Sequence, residues 1–195
     1  AGDTVTVEAE TRDGAARSAS VQLTRLPFVD LFAYFGIPFV AGVVSLLTAV
    51  YLFLWRRESV GAFVASGICA AMAVTIGGIY DVSTASILGP LWAIAAGLAG
   101  GLMLLFGFSI PAPLPIAYRV PILRPAALIA GVAAGVVAAV MISGPSSAAS
   151  YETGVSIALG ACLGGAVLLV FTMLWQRRRA ASREARNQSG IVLIG

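Results

Sequence analysis

The stretch VDLFAYFGIPFVAGVVSLLTAVYLFLWRR, Val29 to Arg57, decides the fold. No charged residue falls between Asp30 and Arg56, and a run of that length crosses a bilayer as a helix, which takes about 20 apolar residues. Tyr34 sits near one end and Tyr51 and Trp55 near the other, where amphipathic rings meet the headgroups. Arg56 and Arg57 follow at once, so the positive-inside rule directs that end to the cytoplasm. Residues 1–27 then belong outside, and the direction of every later span follows.

The rest of the chain agrees with this reading. Of its 195 residues 59% are hydrophobic and only 11% charged, and the mean hydropathy is +0.95. A soluble domain of this length carries more charge and clearer polar loops. The net charge of +3 does not point to nucleic acid. All twelve basic residues are arginines, and they gather at the ends of apolar runs and not on one binding face. Histidine is absent, which removes the usual haem ligand, the commonest zinc ligand and the commonest general base. Cys69 and Cys162 fall inside apolar runs without a basic neighbour, where a thiol behaves as a small hydrophobe.

Taken in order, residues 3–9 (DTVTVEA) alternate polar and β-branched residues as a half-buried strand does. Arg12-Asp13-Gly14 supplies a turn, and SASVQLTRL, Ser18 to Leu26, resumes the alternation. A lone hairpin is marginal in water, so this segment reads as the tail of a larger extracytoplasmic β domain. Spans are expected at about 31–55, 60–80, 87–108, 126–142 and 154–175, with a sixth starting near 190. The fold class is an all-α membrane bundle of five complete helices with a short N-terminal β segment. Between the third and fourth spans, Ile110 to Pro125 holds Pro111, Pro113, Pro115, Pro121 and Pro125 and reads as an extended cytoplasmic segment. Asp81-Val82-Ser83-Thr84 and Ser143 to Thr153 are the external turns. The chain begins at Ala1 in a strand pattern and stops at Gly195 early in an apolar run, which reads as a piece of a longer protein.

Counting arginines tests this topology. Arg56, Arg57, Arg119, Arg124, Arg177, Arg178, Arg179, Arg183 and Arg186 all fall in the cytoplasmic segments. The external loops carry Asp81 and Glu152 and no arginine. Arg56, Arg57, Arg177, Arg178 and Arg179 are therefore read as topology anchors attracted to anionic lipid.

Glycines four apart occur at Gly97/Gly101, Gly131/Gly135 and Gly160/Gly164. This spacing lets two helix backbones approach closely, within the bundle or across a dimer face. Between their interfaces the five spans hold no Asp, Glu, Lys, Arg, His, Asn or Gln, which argues against an ion or proton pathway through them. Asp81, next to Tyr80, is the only acid adjoining a span at the external turn between the second and third spans. There is no paired carboxylate within a span, no nucleophile with a base, no phosphate loop and no metal-ligand cluster. The expectation is no catalysis, no cofactor and no metal.

Two segments carry a resemblance. Gly2-Asp3, a strand, an Asp-Gly turn and a final strand resemble the C-terminal end of a PDZ-like domain. REARNQSGIVLIG, Arg183 to Gly195, resembles the basic junction before a sixth helix in bacterial sensor proteins of the ComP-type histidine kinase class. In layout the likeness covers the whole chain, in sequence only its two ends. It implies a multi-pass protein of the bacterial cytoplasmic membrane with its N-terminus outside. Such a region carries no chemistry of its own and passes a signal to cytoplasmic modules such as a kinase or cyclase. No catalytic module is present here, so no kinase residue is carried over. The alternative is a non-catalytic accessory subunit of a larger membrane complex, respiratory or photosynthetic. Either role implies the lipid bilayer and self-association or other membrane subunits as partners.

Overall fold

The computed structural model describes residues 4–10, 16–22, 27–56, 58–84, 87–110, 119–144 and 148–179. The chain divides into two compact units, 1–37 and 38–195. In the first, β1 (Thr4–Glu10) and β2 (Ala16–Gln22) pair antiparallel, with Thr4 opposite Gln22 and Glu10 opposite Ala16. Its last residues open the helical run α1, Phe28–Arg56. Pro38 has no N–H to give the carbonyl four residues back, and its ring crowds that carbonyl. The helix widens just ahead of it into a π-turn over Phe32–Gly36, in which the Ile37 N–H donates to Phe32 O. A π-turn beside a proline is a usual way for a helix to absorb the mismatch.

The second unit is helical. After α1 come α2 (Val60–Gly77), the short α3 (Ile79–Ser83), α4 (Gly89–Ser109), α5 (Leu123–Ser143) and α6 (Ala148–Arg179). Five of these, α1, α2, α4, α5 and α6, are long and apolar enough to cross a membrane, and the protein is a multi-pass helical membrane protein. Helix α4 is the hub. It packs on α2, α5 and α6, and 56% of its apolar window is buried against 11% for α1. Pro90 stands in its first turn, where a missing N–H costs no helical bond.

The core is made of small side chains: Ala71, Ala93, Ala96, Ala99, Ala138, Ala139, Ala158 and Cys162 form one cluster with Trp92. In lipid there is no hydrophobic gain from bringing one apolar helix to another, because the tails are as apolar as leucine. Association then depends on dispersion between close backbones and on interhelical hydrogen bonds. Alanine and glycine are the residues that allow that approach.

Three boundaries differ from the sequence reading. Ala148 to Thr153 was expected in an external loop and instead forms the first turns of α6. Ala148 to Thr153 holds neither glycine nor proline, so nothing there breaks a helix. Residues Ile79–Ser83, expected partly as a turn, are helical. Helix α5 starts at Leu123, so Arg124 and Pro125 belong to its first turn and not to the extended segment. Residues 111–118 of that proline-rich segment, Arg57, the Arg12-Asp13-Gly14 turn, Arg183, Arg186 and the start of the sixth span lie outside the described residues.

Candidate functional site

Two of the three glycine pairs face each other. A Cβ placed on Gly97 would fall against Gly131 O and 2.6–2.7 Å from the N and Cα of Gly135. One placed on Gly131 would lie 2.5 Å from Gly97 O and 2.6 Å from Gly101 Cα. Helices α4 and α5 therefore interlock glycine into glycine, closer than any side chain permits. Gly101 sits beside Ala127 and Leu128, and Gly135 beside Ala93 and Ile94, which extends the seam by a turn each way.

The third pair behaves differently. A Cβ at Gly160 or Gly164 meets nothing within 4 Å. Both positions are exposed on α6, so the expectation of packing within the bundle does not hold for them. Helix α6 meets α4 through Gly165 instead, whose Cβ would lie 2.5 Å from Gly100 O and 2.6 Å from its Cα. Gly100 in turn abuts Ala161 O. Ala161/Gly165 is the same small-residue spacing on another face of the same helix. A signal for it lay in the sequence: Ala158, Ala161, Gly165, Thr172 and Gln176 continue one stripe, and polar residues at one end of a stripe mark the face turned to protein.

Hydrogen bonds tie the helices at separate depths. Ser66 Oγ donates to Ala49 O of α1 at 2.8 Å. Trp92 Nε1 donates to Thr75 O of α2 at 2.8 Å, and Trp92 itself is only 3% exposed. Tyr151 OH donates to Val82 O at 2.6 Å, and Gln176 Nε2 to Gly107 O at 3.0 Å. Thr75, Val82 and Gly107 lie in the last turns of α2, α3 and α4. Carbonyls there lack an intrahelical donor and are costly to leave bare away from water. The side chains of neighbouring helices satisfy them.

Asp81 Oδ2 accepts the Leu88 N–H at 2.6 Å, just ahead of α4, so this acid organises the connection into the hub helix. Several other hydroxyls bond backwards within their own helix: Thr48 to Val44 O, Thr75 to Ala71 O, Ser143 to Ala139 O and Thr172 to Leu169 O. A hydroxyl so engaged is no nucleophile without a base to free it. Cys162 Sγ lies 3.9 Å from Met72 Sδ in the core. Among the described residues no three Cys, Asp or Glu side chains come together as metal ligands.

Of the basic anchors, Arg56 ends α1, and Arg177 and Arg178 stand exposed in the last turn of α6. Arg179 closes that helix. Gln176 Oε1 and Arg124 Nε are enclosed without a hydrogen-bond partner. No protein-family model, characterised protein or solved structure matches the chain.

Proposed function

We propose that this chain is the membrane-embedded sensory region of a bacterial signalling protein. Its β segment lies outside the cytoplasmic membrane, its arginine-rich ends inside, and cytoplasmic output modules follow it. It performs no chemistry and transmits displacement. The observation that carries this reading is the uneven enclosure of the helices. The span that follows the hairpin in sequence, α1, is 11% buried while the hub is 56% buried. A peripheral helix held by few contacts is one that can shift between two packings at small cost, and such shifts are a standard way to bias an output.

Orientation is tested with an impermeant maleimide on intact cells, in a background with Cys69 and Cys162 replaced. Glu152→Cys labels from outside, and Arg178→Cys labels only after permeabilisation. The opposite pattern overturns the topology and the sensor reading with it. The role is tested in the full reading frame by joining α1 to α2 through Phe53→Cys and Phe63→Cys, whose native rings are 6.3 Å apart. Cross-linking fixes the cytoplasmic output in one state. A reading frame without any signalling module ends the proposal.

The second reading, an accessory subunit, is favoured by the outward Gly160/Gly164 pair, which offers another helix a close approach. Co-migration at fixed stoichiometry with a larger complex on native purification would support it. Self-association of two copies by that face fits the sensor reading equally.

A further inference from the structure

The main-chain ladder of α1 is incomplete at one place. In a regular helix the Ala33 carbonyl takes the N–H of residue 37, and the Tyr34 carbonyl takes that of residue 38. Here Ile37 gives its N–H to Phe32 O, and residue 38 is a proline with none to give. Both carbonyls therefore lose their α-helical donor. Ala33 lacks a donor five residues on as well, since that residue is again Pro38. Gly36, with the widest backbone freedom of any residue type, lies inside the same turn.

Packing changes at this place too. None of residues 28–41 is buried, and the two compact units divide between Ile37 and Pro38. From Gly42 onward α1 is fastened to α2 at three levels. A Cβ on Gly42 would stand 3.1 Å from Ala73 O, Ala49 O accepts the Ser66 hydroxyl at 2.8 Å, and the Phe53 and Phe63 rings are 6.3 Å apart. We propose that the turn at Phe32–Gly36 is a swivel: the arm of α1 from Phe28 to Ile37 swings while the stem, Gly42 to Arg56, keeps its contacts with α2. The inference rests on α1 running as one helix from Phe28 to Arg56 and not on the signalling reading.

Such a swing is cheap. A bend that opens on this side of the helix costs no α-helical bond, because the two that would stretch are already absent. Tyr34 is an amphipathic ring of the kind found at headgroup level, where water satisfies a bare carbonyl that hydrocarbon would penalise. Nine residues from Val29 to Pro38 make about 14 Å of helix. A change of about 20° in the bend, the size of a distinct kink, then carries the end of the arm about 5 Å.

Spin-label distances test this in the full chain, reconstituted in bilayers with Cys69 and Cys162 replaced by alanine. One pair joins the arm to α6, Val29→Cys with Glu152→Cys, and the other joins the stem to α6, Leu47→Cys with Glu152→Cys. The arm pair is expected to give a distance distribution at least twice as wide as the stem pair. Pro38→Ala restores an N–H to Tyr34 O and narrows the arm distribution towards that of the stem. Gly36→Ala, which takes the glycine freedom out of the turn, narrows it in part. The stem distribution stays as it was in both variants, which also shows the bundle intact. An arm pair as narrow as the stem pair would mean a fixed bend and would overturn the proposal. Two equally broad distributions would mean that α1 moves whole; they too would overturn it, leaving the signalling reading untouched. A broad arm distribution indifferent to Pro38→Ala would mean that the helix frays from its end, and the swivel falls with that result.

Discussion

The same substitution, glycine to alanine, should have opposite consequences at Gly131 and at Gly160. At Gly131 the added methyl lies 2.6 Å from Gly101 Cα and 2.7 Å from Gly101 N. Both are backbone atoms of the hub helix, so no side chain can rotate away, and α4 and α5 must separate by about 1 Å to restore contact distance. Overpacking of this kind costs about 2–3 kcal/mol. The gain in helix propensity on replacing glycine returns about 1 kcal/mol, leaving a net loss of about 1–2 kcal/mol. For a chain of this size that lowers the melting temperature by about 2–8 °C. At Gly160 no atom stands within 4 Å, so only the propensity term survives and the variant is as stable as the parent or up to about 1 kcal/mol more so. Thermal unfolding in one mild detergent, followed by circular dichroism and by thiol exposure at buried Cys162, reads both. Equal shifts for the two variants, or a larger loss at Gly160, would refute the argument that α4 and α5 interlock while the Gly160 face is open.

Three further substitutions probe the ties between helices. Trp92→Phe removes the donor to Thr75 O and leaves a helix-end carbonyl bare, for a loss of about 1–3 kcal/mol in the same melt. Ser66→Ala removes one interhelical bond to a carbonyl; bonds of this sort in membranes average about 0.6 kcal/mol, so a shift of no more than a few degrees is expected. Asp81→Ala frees the Leu88 N–H and should cost about 1 kcal/mol, as loss of a helix cap does, whereas Asp81→Asn keeps an acceptor and recovers most of it.

The spans were legible because a bilayer imposes a single demand, about 20 residues without charge, and the chain meets it five times. Arg56 at the end of α1 and Pro90 in the first turn of α4 mark ends that composition alone could place. Helix length beyond the hydrocarbon was not legible. The Ala148 end of α6 is set by hydrogen bonding and by Tyr151 reaching Val82, and neither leaves a trace in hydropathy. The glycine motif was legible only in part. Spacing by four says that two glycines share a face, and it holds equally for Gly131/Gly135 and Gly160/Gly164, but it does not say whether that face turns to protein or to lipid. In α6 that information sat in Thr172 and Gln176, whose polarity continues the stripe of Ala161 and Gly165.

Close packing of small residues also leaves a problem that the polar contacts solve. In helices as rich in alanine and glycine as α4 and α5, sliding one past the other by a turn, about 5.4 Å, again opposes small residues to small residues. Dispersion alone therefore discriminates weakly between registers. Four side-chain donors, Ser66, Trp92, Tyr151 and Gln176, each reach a carbonyl on a different helix, and a one-turn slip would break whichever of these bonds join the helices that slide. Three of the four acceptors are carbonyls in the last turns of their helices, where a slipped register loses a bond to a group that is costly to leave bare. The glycines set how near the helices come, and these donors set where the helices they join stop along one another; none of them joins α4 to α5, whose register rests on the glycine contacts. Among the described residues helix α1 is joined by one such bond, from Ser66, and by one close glycine contact, Gly42 against Ala73 and Gly77. It is also the least enclosed of the five spans, with 11% of its apolar window buried, so close packing holds its position less than that of the hub.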